Sequence, residues 1–258
     1  MTTLTKSDLM DICPAALASS PATYKVSDRY SFISTEHIID QCMERGWFPV
    51  EAHQSRRTAD TYHATHMITF RQPDSDIMVE GATPQITLFN NHMALKRAKL
   101  VAGFIKWMCS NGLVVGTGIA ETRQTKIHID DAALEFEIAF QSALNNIDNA
   151  VHSIQRWAKT DLSFQQERQF ADQCVLMREH DVAFWASEND SRAFLERRRK
   201  EDFKHDLWTV FNVVQENMIR GGVTPKTRET RGITAVNEIE RLNVGLWNVT
   251  DKFFHGLN

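Results

Sequence analysis

No stretch of this 258-residue chain approaches the roughly 18 apolar residues of a membrane span. Its opening residues, MTTLTKSDLMDICP, have neither the basic start nor the apolar stretch of a secretion signal. The expectation is a cytoplasmic protein with no membrane partner. The four cysteines, Cys13, Cys42, Cys109 and Cys174, form no CxxC pair, which argues against a zinc ribbon. In the cytosol they read as reduced thiols. A surplus of positive charge is also missing. The net charge is −4, which argues against a strongly basic nucleic-acid binder on bulk charge while leaving room for local basic surfaces. There is no internal repeat and no low-complexity tract.

The usual motifs of enzyme chemistry are absent too. No HExxH or HxE…CxxC pattern occurs. Gly116-Thr117-Gly118 lacks the further glycine or Gly-Lys-Ser/Thr of a phosphate cradle. Cys109-Ser110 precedes a turn without the GxSxG of a nucleophile elbow. His63 and His66 are three apart, and on a strand that spacing sends side chains to opposite faces. The carboxylate pairs Asp74/Asp76, Asp130/Asp131, Glu135/Glu137 and Glu238/Glu240 read as helix starts and solvated faces. No catalytic residue, metal or cofactor is therefore assigned.

What the chain does have is a change of character near residue 130. The expected fold class is α+β: an N-terminal antiparallel sheet with short helices over 1–130, then a mainly helical half over 131–258 packed with it. In the first part Ser34–Arg45 reads as a short helix with Thr35 as its cap and Gly46 as its stop. Tyr62–Phe70, Ile77–Val79 and Gln85–Phe89 read as strands. Leu100–Cys109 fits strand or helix, Ser110-Asn111-Gly112 fits a hairpin turn, and Lys126–Ile129 fits a closing strand. In the second part Phe136, Phe140, Leu144, Ile147, Val151 and Ile154 make one stripe of a long helix over Asp131–Lys159. Ser163-Phe-Gln-Gln166 is a capping box opening a helix to about His180. Arg192–Lys200 reads as a third helix and Phe203–Met218 as a fourth, ended by Gly221-Gly222. Val223–Gly232 reads as a polar loop, and Thr234 as the cap of a last helix.

The informative features are basic clusters. Lys96, Arg97, Lys99 and Lys106 stand without an intervening acid, beside Phe104 and Trp107. Arg220, Lys226, Arg228 and Arg231 stand against one acid, Glu229. Such clusters gain affinity for phosphates by counterion release, and Trp107 adds a group that can stack on a base. The same residues are equally at home on solvated faces and in a core. The run Arg197–Lys200 is flanked by Glu196, Glu201 and Asp202, which favours ion pairs along a helix over nucleic-acid contact.

Three further stretches carry a family resemblance. One is PQITLFNNHMALKRAKLVAGFIKWMCSNGLVV from Pro84 to Val115. The others are Val213–Gly222 with Arg241-Leu-Asn243…Leu246-Trp247, and Ser27-Asp-Arg-Tyr30. Together they resemble an uncharacterised phage- and plasmid-encoded protein family, the DUF932 type, across most of the chain. The turn Phe89-Asn90-Asn91-His92-Met93 departs from that family's pattern. The resemblance implies a mobile-element setting and, by distant analogy, a single-strand annealing protein. The expected function is thus non-enzymatic binding and annealing of single-stranded DNA in recombination, by a homo-oligomer. The nucleic-acid-binding residues would be Lys96, Arg97, Lys99, Lys106, Trp107, Arg220, Lys226, Arg228 and Arg231. The alternative is a protein-interaction module that counters host restriction or CRISPR-type defence, with a host defence or recombination protein as partner. A metal-dependent nuclease is a third reading.

Overall fold

The computed structural model describes residues 2–22, 32–55, 60–73, 75, 77–93, 98–106, 111–114, 120–121, 129–178, 191–225 and 229–257. The chain forms two compact units. The first comprises Met1–Met78, Thr83–Phe104 and Gly118–Ile147, and the second Val79–Ala82, Ile105–Thr117 and Asp148–Asn258. The fold is α+β, as the order of strand and helix signals implies.

The first unit opens with helix α1 (Lys6–Ile12), fixed by a capping box. Thr5 Oγ1 accepts from the Asp8 amide at 3.2 Å, and the Asp8 carboxylate accepts from the Thr5 amide at 2.7 Å. A 3₁₀ turn over Pro14–Leu17 follows. Helix α2 (Thr35–Glu44) lies where the sequence predicts one, but its cap is Ser34, whose hydroxyl accepts from the His37 amide at 3.2 Å. Thr35 is instead fully buried. Strands β1 (Phe48–Gln54), β2 (His66–Arg71) and β3 (Ala82–Asn90) run antiparallel, and β3 borders β4 (Lys99–Lys106). The sequence reading does not contain β1. A register shift between Pro49 and Glu51 marks a bulge there, where proline supplies no amide to the ladder. Residues of β2 and most of β3 are buried on both faces, so the period-two alternation of a half-exposed strand is missing.

Four local expectations change. The expected strand Ile77–Val79 is reduced to a bridge between Val79 and Ala82 around the tight turn Glu80-Gly81, where both residues have positive φ. The ambiguous stretch from Leu100 is strand as far as Lys106. Asn111 and Gly112 lie in a short strand, β5 (Asn111–Val114), rather than a turn, and Ser110 falls outside the described residues. Strand β6 (Ala120–Glu121) pairs with β4, while Ile129 opens helix α3 (Ile129–Trp157) rather than closing a strand.

Helix α3 carries the predicted stripe. Phe136, Phe140, Ile147 and Ile154 are buried, Leu144 and Val151 are half-buried, and Ala139, Ala143 and Ala150 let neighbours approach the same face. In the first unit its start meets the end of α2. Arg45 pairs with Glu137 at 2.9 Å, and its guanidinium lies over the rings of Phe136 and Phe140 at 5.3 and 5.5 Å.

The second unit holds the rest of α3, then α4 (Phe164–Arg178), α5 (Leu207–Arg220) and α6 (Val236–Gly256). Helix α4 starts at the predicted box: the Gln166 side chain accepts from the Ser163 amide at 2.8 Å, and Ser163 Oγ accepts from the Gln166 amide at 3.3 Å. The expected third helix is instead two 3₁₀ turns, Ser191–Leu195 and Lys200–Phe203, with extended backbone between them. The core is aromatic. Trp157 lies 4.5 Å from Trp247 and 6.0 Å from Phe211, and Phe170 lies 5.3 Å from Phe253. Replacing the fully buried Trp157 by Ala should lower unfolding free energy by about 3–5 kcal/mol in urea titration.

Candidate functional site

The predicted cations fall into two groups that the fold treats differently. Lys99 opens β4 in the first unit, half-buried and in register with Glu121 of β6. Lys106 is the last residue of β4. Lys96, Arg97 and Trp107 lie outside the described residues, as do Lys226 and Arg228. Arg220 and Arg231 both belong to the second unit, and there the backbone brings them together at the base of one loop.

That loop joins α5 to α6, and its base is closed by paired backbone hydrogen bonds. The Gly222 amide donates to Thr230 O and the Thr230 amide to Val223 O, each at 2.8 Å. The Ile233 amide donates to Ile219 O at 2.7 Å. Gly221 sits at φ +71°, ψ −149°, a region closed to residues with a side chain, and a Cβ there would lie 2.5 Å from Thr230 O. A Cβ on Gly232 would lie 2.9 Å from Arg220 O. The glycines therefore let two chain segments touch. Arg178 caps the end of α5 by donating to Met218 O at 2.5 Å and also to Arg231 O. Cations suit this negative end of the helix dipole.

The Arg197–Arg199 run is not a solvated helix face. Arg197 donates to Glu167 at 2.8 Å. Arg198 donates to Asn217 Oδ1 at 3.0 Å and to Gly221 O at 2.5 Å. Arg199 grips Glu216 with both Nη atoms at 2.7 Å and reaches Asp202 at 3.4 Å. Glu167, Asp202 and Glu216 are each at most 3% exposed. Burial pushes the Glu216 pKa up, but the hydrogen bonds and charge of Arg199, with Arg220 and Arg198, outweigh it and hold the carboxyl below its usual range. Sequence reasoning pairs these arginines with near neighbours, which holds only for Arg199 with Asp202; the other partners are on α4 and α5. Arg220 joins the same group, 3.1 Å from Glu216.

The first unit contains a second buried polar centre that the sequence does not flag. Asn90, at the end of β3, donates to Thr35 Oγ1 at 2.8 Å, and Thr35 Oγ1 lies 2.8 Å from His66 Nε2. The other nitrogen of His66 lies 2.8 Å from the carbonyl of Ala64, which can only accept, so Nδ1 carries the proton and Nε2 accepts from Thr35. His92 Nε2 lies 3.1 Å from Ala15 O and carries its proton by the same logic. His92 Nδ1 is then a bare acceptor, buried and without a partner among the described residues. Burial lowers the His66 pKa to about 4; burial and the neighbouring His66 lower that of His92 to about 3. The only trace in the sequence is Asn90-Asn91-His92, which looks like an ordinary turn.

Metal and thiol chemistry find little footing among the described residues. His63 is held by Asp60 at 2.7 Å, and no three His, Cys, Asp or Glu side chains converge to hold a metal. Cys13, Cys42 and Cys174 are free and buried, and burial pushes the first two thiols up to about 12. Cys109 lies outside the described residues. No described helix is long and apolar enough to cross a membrane.

The buried histidines predict acid sensitivity. Both are neutral in the fold, with pKa values below the unfolded value of about 6.5. Their contribution is fully present above pH 6.5 and is lost as pH falls toward 4 and 3. Urea unfolding at about pH 5 should show a loss of about 2 kcal/mol per histidine relative to about pH 7.5. A His66→Asn/His92→Asn variant should show a flatter profile.

Comparison with known proteins agrees with the motif reading. The profile of a domain of unknown function (DUF932) matches residues 23–243. The UPF0380 protein YafZ of Escherichia coli (strain K12) is 24% identical over 251 residues, covering 95% of this chain and 89% of that protein. The UPF0380 protein YfjQ of the same organism is 25% identical over 263 residues, again covering 95% and 89%. No solved structure matches. Since the profile spans most of the chain, this protein belongs to the DUF932 family.

Proposed function

We propose that this protein is a mobile-element DNA-binding protein that binds and anneals single-stranded DNA in recombination, without catalysing a reaction. The supporting observation is the loop between α5 and α6. Its base is fixed by backbone hydrogen bonds and by glycines that cannot be exchanged, and Arg220, Lys226, Arg228 and Arg231 lie in or beside it against the single acid Glu229. A fixed base lowers the ordering cost when a polyanion binds. Lys96, Arg97, Lys99 and Lys106, with Trp107, are the second set assigned to phosphates and a base.

A net charge of −4 keeps the affinity of one copy low, so the function depends on repetition of these sites in a homo-oligomer. The cytoplasm, where such DNA is handled, is the compartment this reading requires.

Fluorescence anisotropy with a labelled oligo-dT tests the reading. Log affinity should fall linearly with log salt, and Lys226→Ala/Arg228→Ala should reduce the slope by about 1.4, from about 0.7 per lost phosphate contact. Light scattering should show an assembly that changes when the oligonucleotide is added. No binding at low salt by the assembled protein overturns the reading.

A further inference from the structure

A patch on the second unit, formed by the start of α4 and the segment leading into α5, combines exposed rings with exposed positive charge. Large apolar side chains normally face inward, yet Phe164 is 77% exposed and Phe203 is 61% exposed. They are linked through two groups between them. The Phe164 ring meets the His205 imidazole edge-on at 5.1 Å, Arg197 lies 3.5 Å from that imidazole, and its guanidinium lies 5.9 Å from the Phe203 ring. The order Phe164, His205, Arg197, Phe203 makes one row of touching groups, a ledge with an exposed phenylalanine at each end. Beside it is an open cleft of about 600 Å³, lined in part by Ser163, Phe164, Lys204 and His205.

The ledge is rigid. Phe164 is the first residue of α4, directly after the Ser163 cap. The segments Thr160–Leu162 and His205–Leu207 are tied by the Leu162 amide to His205 O and the Leu207 amide to Thr160 O, each at 2.9 Å. Arg197 and His205 both rest on the buried Glu167, at 2.8 and 2.7 Å. Its cations are Lys204, Lys200 and Arg168. Lys200 lies three residues before Phe203 in a 3₁₀ turn, so both share a face, and Arg168 lies four after Phe164 on α4. All three are exposed and carry no ion pair with another of the described residues. Asp161 and Asp206 line the same cleft, Glu201 follows Lys200, Asp172 lies four residues after Arg168 on α4, and Glu167 is paired with Arg197.

We infer that this ledge is a base-stacking platform for single-stranded DNA, with Phe164 and Phe203 under successive bases and Lys200, Lys204 and Arg168 on the backbone. Flat rings with cations at their margins suit an unpaired strand, whose bases offer free faces; a duplex hides those faces. The inference rests on the DNA-binding reading and assigns to it a contact that the basic loop cannot supply, since charge alone does not discriminate bases from bare backbone.

The test uses the full-length protein and two oligonucleotides of equal length, dT and an abasic phosphodiester chain. Wild type should bind dT about tenfold or more tightly than the abasic chain. Phe164→Ala/Phe203→Ala should lose that preference while its salt slope stays unchanged, since the phosphate contacts remain. Equal melting temperatures of variant and wild type check folding. Photocrosslinking of wild type to an oligonucleotide carrying 5-iodouracil adds a readout independent of the variant; crosslinks should fall within residues 159–178 or 200–208. Equal binding of the two chains by wild type, an unchanged preference in the variant, or crosslinks confined to other segments overturns the ledge while leaving DNA binding intact. A variant that dissociates the oligomer yet keeps the dT preference also overturns it, and makes the ledge a contact between copies. Wild type that binds neither chain overturns the DNA-binding reading itself.

Discussion

Glu216 is a carboxylate with 2% of its side chain exposed, set in a helix whose residues Leu207–Met218 are all buried. A charge taken out of water must be paired and hydrogen-bonded, or it will protonate or unfold its surroundings. Arg199 meets this need with a two-pronged grip, and Arg220 adds a further bond. The neighbours of Glu216 face the same demand. Gln215 donates to Asn243 on α6 at 2.9 Å, and Asn217 donates to the carbonyls of Phe194 and Glu196 at 2.9 and 2.8 Å. Three consecutive polar residues thus tie α5 to α6 and to the segment carrying the arginines. Each bond needs its partner within hydrogen-bond reach, so together they fix the register of the second unit more tightly than apolar packing alone.

This network divides the cations of the C-terminal half into two classes. Arg197, Arg198 and Arg199 are committed to internal acceptors and have little left to offer a ligand. Lys200, Lys204 and Arg168 remain exposed and make no ion pair among the described residues. Arg220 stands between the two, partnered by Glu216 but placed at the base of the basic loop. A count of charges cannot make this distinction, because a guanidinium on a buried carboxylate and one in solvent contribute equally to the count.

The family motifs gain a physical meaning from the same contacts. Val213–Gly222 supplies the buried polar triplet, the end of α5 and the glycines that let the chain turn back on itself. Arg241-Leu-Asn243…Leu246-Trp247 supplies the amide that receives Gln215 and the indole that packs on Trp157. Apart from Arg220, Gly222 and Arg241, most residues that carry the resemblance in this region are buried, so the motif largely marks architecture. In the first unit Asn90 and His92 act similarly, joining the end of β3 to α2 and to the first 3₁₀ turn through Thr35 and Ala15 O. The unpartnered His92 Nδ1 is the cost of fixing that ring by its other nitrogen.

Periodic and local features were legible in the sequence because their causes are local. The stripe of α3, the capping box at Ser163, the helix from Thr35 and the glycine stop after Arg220 each follow from spacing or from a cap within a few residues. Strand β1 was not legible, since a proline bulge breaks its alternation. The central strands gave weak alternation because both faces are buried. The third helix failed for another reason: Arg197, Arg198 and Arg199 reach partners 30, 19 and 17 residues away in sequence, and those bonds hold the backbone out of helix. The sequence by itself determined the α+β class, the family and the positions of the cations. Only the tertiary structure decided which cations are consumed by buried acids, which histidines are neutral, and which phenylalanines face solvent. Those properties depend on what water can reach, and that is set by the packing of distant segments.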